Sequence, residues 1–245
     1  MAKTEFEKFI QSKKDFSDWH YDPSVKSSDV LYVGKIEDDI SSCINGINFV
    51  EFEHDKKPSA YSNTVSREKW IEKIPSVHWP SDSSQRFGYH DLNTRHAHAR
   101  SFKEENIPPS LGGLTEICYD IADSTGLENP FCQIFKQPPG NFNPLHFDTC
   151  AAVISKNEVP DDRIKEIRRY LIFIEDWHWG HFLQIGNNVV TNWKSGDVYT
   201  WDFGMYHLSA NAGIVDKYTM QITGLPQKDA WHLKNKKSFK IKKGI

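Results

Sequence analysis

The chain has 245 residues and a formal net charge of −3, with aromatic residues at 13%, eight of them tryptophan. A chain of this length buries roughly 70–75% of its unfolded surface, so it needs no disulfide or metal staple to fold. A mean hydropathy of −0.61 and the lack of a long apolar run exclude a helical integral membrane protein, and the aromatic content excludes a disordered one.

The opening residues, MAKTEFEKFIQSKKDF, carry charge throughout and contain no apolar core of a secretory signal. Cys43, Cys118, Cys132 and Cys150 are scattered without a CxxC pair. They are expected to be reduced thiols in a cytoplasmic protein. Residues 1–129 are expected to form a mixed α/β brace. Leu31–Val33 and Ile47–Phe52 have the look of strands, and Arg67–Ile74 that of a short helix capped by Ser66. Ser110 opens a clearer helix, with Leu111, Leu114, Ile117, Cys118, Ile121 and Ala122 at helical spacing and Gly126 to end it. Such a stripe predicts a core-facing surface. Between them, Arg86 to Arg100 is dense in histidine and arginine. It is either a solvated loop or a substrate loop in which Arg86, Arg95 or Arg100 pairs with a carboxylate. His96 and His98 have no cysteine near enough to complete a zinc site.

After Pro130 the texture changes to short β runs: 131–137, 145–149, 170–175, 181–185, 189–193, 197–203, 207–211 and 218–224. Turn signals such as Pro138-Pro-Gly-Asn, Gly186-Asn-Asn and Lys194-Ser-Gly-Asp separate them. Residues 160–169 have acids first and bases last, as a helix dipole favours. Eight close strands predict a mainly β fold with flanking helices, built on a double-sheet jelly roll over 130–225. Trp177-His-Trp-Gly-His181 falls at a strand start, where aromatics pack and histidine meets water or a backbone carbonyl; the alternative is that Trp177 or Trp179 lines a substrate pocket. The segment 226–245 holds seven lysines and one aspartate, leaving −9 on the rest of the chain. It is expected to be a solvated, partly frayed basic tail. The acidic body disfavours nucleic acid and points to a small-molecule substrate, and no motif speaks to a membrane or to oligomeric state.

Three residues in the β region suggest chemistry: His146, Asp148 and, after 58 intervening residues, His207. Residues i and i+2 of a strand share a face, so His146 and Asp148 are expected to point the same way. Two imidazoles and a carboxylate on one face, with the opposite face open, form the facial triad of mononuclear non-haem Fe(II). Asp202, shortly before His207, either supports a ligand histidine through a hydrogen bond or shapes the turn. Further on, Lys217, Thr219 and Gln221 alternate with Tyr218, Met220 and Ile222. A polar row on an inner face is costly unless something polar binds there. A lysine beside a threonine hydroxyl suits the distal carboxylate of a dicarboxylic acid.

The layout Gln137-Pro-Pro-Gly, His146-Phe-Asp148, Gly196-Asp-Val, His207 and Lys217-Tyr-Thr219 resembles the Fe(II)/2-oxoglutarate-dependent oxygenases over residues 130–225. The resemblance implies a double-stranded β-helix, cupin-like core, with His146, Asp148 and His207 as iron ligands at the catalytic centre. It implies that Lys217 and Thr219 hold the C5 carboxylate of 2-oxoglutarate; many members carry arginine at the Lys217 position. Gln133 or Gln137 is the candidate for the C1 end. The stretch Trp193–Asp202, with His207-Leu-Ser-Ala-Asn, looks like a branch acting on small free substrates such as amino acids. Related halogenases replace the triad carboxylate by a small residue, and this chain keeps Asp148. The implied outcome is therefore hydroxylation by O2, with 2-oxoglutarate decarboxylated to succinate. The competing expectations are a cupin-like metal- or ligand-binding module without turnover, and an oxygenase acting on a protein side chain or nucleobase.

Overall fold

A computed structural model describes residues 30–51, 97–140 and 142–241, together with Lys8 and Ser24. The expected helix at Arg67–Ile74, and Arg86, Arg95 and His96, lie outside the described residues. In chain order the strands are β1 (Val30–Ile36), β2 (Val50–Glu51), β3 (Ala97–Phe102), β4 (Leu127–Gln137), β5 (Phe142–His146) and β6 (Arg168–Phe173). They continue as β7 (His181–Ile185), β8 (Asn188–Val190), β9 (Asp197–Trp201), β10 (His207–Asn211), β11 (Lys217–Pro226) and β12 (Ser238–Phe239). Two short α-helices, α1 (Glu116–Ser124) and α2 (Ala151–Lys156), are joined by several single 3-10 turns. None of the described helices is long and apolar enough to cross a membrane.

The strands form a large sheet in the order β12-β1-β9-β6-β11-β4-β3-β2 and a small one in the order β5-β10-β7-β8. The eight consecutive strands β4 to β11 pass back and forth between the two sheets. They pair antiparallel throughout. This interleaving makes a jelly roll, the double-stranded β-helix of the cupin architecture. The remaining strands widen the large sheet at its two edges.

Burial explains why Tyr170–Phe173 of β6 reads as an unbroken apolar run. Its Tyr170 and Ile172 join the core on the outer face of the large sheet, with Cys118, Ile121, Ile134, Met220 and Ile222. Leu171 and Phe173 point the other way, into the layer between the sheets with Leu183, Ile185 and Trp193. A strand covered on both faces has no polar side to alternate with. Along β11 the same alternation sends Met220 and Ile222 to the outer core and leaves Lys217, Thr219 and Gln221 for the inner face.

Several expected elements are trimmed or moved. The helix expected from Ser110 starts only at Glu116; Pro109–Leu111 is a separate 3-10 turn that ends on left-handed Gly112, and Leu111 is exposed. Gly113 follows so close to the Ile107 carbonyl that a side chain would collide with it, which separates the two segments. The acidic-to-basic insert is a 3-10 helix, Asp161–Glu166, and Arg168 and Arg169 open β6 instead of closing a helix. The strand expected at 189–193 ends at Val190, and the one at 145–149 is displaced to Phe142–His146. Of the strand expected over Ile47–Phe52, the described residues form Val50–Glu51, and Phe52 lies outside them.

The basic tail is docked over its described length. Trp231 and Phe239 are buried and stack at 4.5 Å, β12 pairs in parallel with β1, and Tyr170 Oη meets His232 Nδ1 at 2.6 Å. Apolar burial of two aromatic rings outweighs the solvation preference of the lysines around them, whose charged ends stay in water.

Candidate metal centre and adjoining cleft

Strand pairing brings the two histidines together. His146 is the last residue of β5, His207 is the first of β10, and they are direct cross-strand partners. Their rings lie 4.4 Å apart, centroid to centroid. Asp148 sits two residues beyond the end of β5, so strand alternation does not orient it, contrary to the sequence-based expectation. Its carboxylate nevertheless reaches the pair: Oδ1 is 3.9 Å from His146 Nε2, and Oδ2 is 3.0 Å from His207 Nε2. One donor atom from each of the three residues falls within a 4.8 Å cluster that could hold a metal ion.

The donor set fits a divalent metal. His207 Nδ1 lies 2.9 Å from the Met205 carbonyl. A carbonyl only accepts, so Nδ1 carries a proton and Nε2 is aimed at the carboxylate. Nε2 lies 3.0 Å from Asp148 Oδ2, a contact that a shared proton or a metal ion held by the three residues satisfies. Burial works to raise the Asp148 carboxyl, but the Arg169 guanidinium, then His207 and His146, hold it well below the usual carboxylate range. The site thus offers two imidazoles and an ionised carboxylate, the donors that suit iron and its neighbours.

Arg169 was not singled out in the sequence. Its Nη1 bonds Asp148 Oδ2, and its Nε donates to Thr223 Oγ1 at 3.1 Å. The signal that would have revealed it is β6 alternation carried back two residues: Arg169, Leu171 and Phe173 share a face. Asp202 turns away from the histidines, is exposed, and pairs with Arg168. The hydrogen-bond support expected of it comes instead from the Met205 carbonyl.

From His207 a partly open cleft runs between the sheets. Trp201 and Asn143 also line it, Leu171, Leu183 and Phe135 supply apolar walls, and Gln221, Thr219, Ser209 and Gln137 carry the polar lining. Lys217 lies behind Ser209, 2% exposed. Its Nζ donates to the Phe182 carbonyl and to Ser209 Oγ, both at 2.7 Å, and stands 5.5 Å over the Trp193 ring. Among the described residues, its hydrogen-bond partners are carbonyl and hydroxyl oxygens. Burial pulls the ammonium down to about 7.

The two glutamines separate. Gln137 pairs with Lys217, receives the Ser209 hydroxyl at 2.7 Å and lines the cleft beside it. Gln133 pairs with Gln221, one inward row from Thr223, and is buried without lining the cleft. Arg100 occupies the β3 position opposite Gln133. Trp177 is not among the cleft residues: its indole donates to the His181 carbonyl at 2.9 Å, and it packs on the inter-sheet cluster. Trp179 is 84% exposed.

No family model matches the chain, and no curated protein matches it either. Solved structures do. A predicted oxalate decarboxylase from Thermotoga maritima is 16% identical at a TM-score of 0.32, covering 54% of this chain and 81% of that one. A Pseudomonas putida prolyl-4-hydroxylase is 18% identical at 0.32, covering 42% and 54%. A salicylate 1,2-dioxygenase from Pseudoaminobacter salicylatoxidans is 9% identical at 0.30, covering 52% and 26%. At these values they stand as resemblances, and the strand order carries the conclusion: the chain is a mainly β protein built on a double-stranded β-helix.

Proposed function

We propose that the chain is an Fe(II)/2-oxoglutarate-dependent dioxygenase that hydroxylates a small polar substrate such as a free amino acid. The observation that carries this is one cleft with two different ends. A His146–Asp148–His207 cluster stands at one, and a buried lysine, bonded to a hydroxyl and a carbonyl, lies behind the other. With Fe(II) and 2-oxoglutarate bound, such a site supplies dioxygen activation coupled to decarboxylation of the oxoacid to succinate and CO2. The three residues of the cluster hold the metal and leave neighbouring positions open.

The chain's other residues bind and orient. Lys217 and Thr219 receive the distal carboxylate, with Ser209 and Gln137 beside them. A charged hydrogen bond in this buried setting is stronger than its counterpart in water. Gln137, which lines the cleft, or Gln133, buried beside it, is the candidate for the C1 end. Leu171, Leu183, Phe135 and Trp201 keep water from the reacting centre. Arg100, across from Gln133, is the described candidate for a substrate carboxylate, with Arg86 and Arg95 as further candidates on the same stretch of sequence.

Anaerobic titration of the apoprotein with Fe(II) and then 2-oxoglutarate, followed by visible absorption, tests this. A weak charge-transfer band that requires both additions is the expected result. Tight iron binding with no band overturns the oxygenase reading and leaves a cupin-like binding module. With the band in hand, succinate release in a screen of amino acids, peptides and nucleobases identifies the substrate class.

A further inference from the structure

Asp148 poses a geometric problem that the strands do not solve. The residue lies past the end of β5, and a carboxylate there can rotate to offer a cation one oxygen or two. The structure removes that freedom from the opposite sheet. Arg169, the second residue of β6, reaches across the layer and bonds Asp148 Oδ2 through Nη1. Its guanidinium is itself held, Nε donating to Thr223 Oγ1 on β11 at 3.1 Å, and its backbone is tied to β9, the Arg169 carbonyl accepting Thr200 Oγ1 at 2.7 Å. The side chains of Arg169 and Asp148 are only 11% and 15% exposed, so water does little to loosen the pair.

We propose that Arg169 is a positioning residue of the metal centre, which engages Oδ2 of Asp148 and fixes the orientation of the carboxylate toward the two histidines. The inference rests on the metal site proposed above but not on its cosubstrate. Two charges of one sign then share the carboxylate, one permanent and one exchangeable. The guanidinium opposes a cation by repulsion while preparing the only anionic ligand for it. A planar fork fixed at both Nε and Nη1 gives up little freedom on metal binding, so orientation outweighs repulsion.

The test is Co(II) titration of the full-length apoprotein, read both as affinity and as the intensity of the visible Co(II) bands, which respond to the number of donors. Arg169→Met is expected to weaken Co(II) binding about 10- to 100-fold, the usual effect of losing a group that orients a metal ligand, and to change the band intensity. Arg169→Lys keeps one charged donor to Oδ2 and is expected to recover most of the affinity. Thr223→Val removes only the brace and is expected to fall between. Equal or tighter Co(II) binding by Arg169→Met overturns the proposal, because repulsion then dominates. Equal losses in the Met and Lys variants with unchanged bands also overturn it, because the residue then serves the fold alone. Should Arg169→Met fail to fold, wild-type affinity in Thr223→Val overturns the proposal. Wild-type protein that binds Co(II) but forms no chelate with 2-oxoglutarate would remove the oxygenase reading and leave the role of Arg169 standing.

Discussion

The two ends of the cleft treat buried charge in opposite ways. At the triad, the carboxylate of Asp148 is answered inside the protein by Arg169 and two imidazoles. At the other end, Lys217 is almost fully buried and rests on a carbonyl and a hydroxyl. An ion pair removed from water with its partner costs little further on ligand exchange. A lone buried ammonium carries a standing desolvation penalty that an incoming anion relieves. Under the proposed function, this contrast matches a cation held by protein ligands at one end and an anion brought from solution at the other.

The largest expected effect comes from the triad. Asp148→Ala or His207→Ala is expected to abolish Co(II) and Fe(II) binding in equilibrium titration and turnover with it, while the β core persists by circular dichroism. Loss of the metal together with loss of the fold would instead mark the residues as structural.

Lys217→Met separates the two ends. Loss of a charged hydrogen bond, worth about 1.5–3 kcal/mol, is expected to weaken 2-oxoglutarate by roughly 10- to 150-fold, with metal affinity unchanged. The same variant is expected to be no less stable than wild type in urea without ligand, because a buried ammonium has been replaced by an apolar chain of similar volume. Strong destabilisation would show that the lysine serves the core and not the cleft.

The pH dependence has two signs. Burial draws the Lys217 ammonium down to about 7, whereas its ordinary value is 10.5. Below 7 both folded and unfolded chains keep the proton, and the full penalty of a buried charge is present. Between 7 and 10.5 the folded protein sheds the proton first, so the lysine's contribution to stability rises with pH across that window. Cosubstrate affinity moves the other way, weakening by up to about tenfold per pH unit once the ammonium is lost. Chemical denaturation and binding curves at pH 6.5 and 9 are the two readouts; Lys217→Met should flatten both.

The smallest effect is expected at Thr219→Val. One neutral hydrogen bond of about 0.5–1.5 kcal/mol corresponds to a roughly 2- to 12-fold loss in 2-oxoglutarate affinity by calorimetry. No change would place the carboxylate nearer Ser209 and Gln137.

Much of this architecture was open to inspection in the sequence, because the period of a strand is local. Eight short β runs with turn residues between them announce a two-sheet sandwich. Alternation along 217–222 separates Lys217, Thr219 and Gln221 from the apolar face before any coordinates are known. The residue types of His146, Asp148 and His207, with their spacing, are likewise enough to suggest a triad. Pattern reading went wrong where a local signal competed with a distant partner. The helical stripe from Leu111 ran across two glycines that part it into separate pieces. The lysine-rich end was judged by its charge, while Trp231 and Phe239 within it bury against β1 and Tyr170.

What only the tertiary structure decided is who meets whom across the two sheets. No spacing rule places Arg169 of β6 on Asp148 beyond the end of β5, or puts Gln137 beside Lys217 and Gln133 a step from Thr223. Sequence periodicity reports which face a residue takes on its own strand. The register between strands, set by how both faces of every strand bury at once, decides which faces share a site.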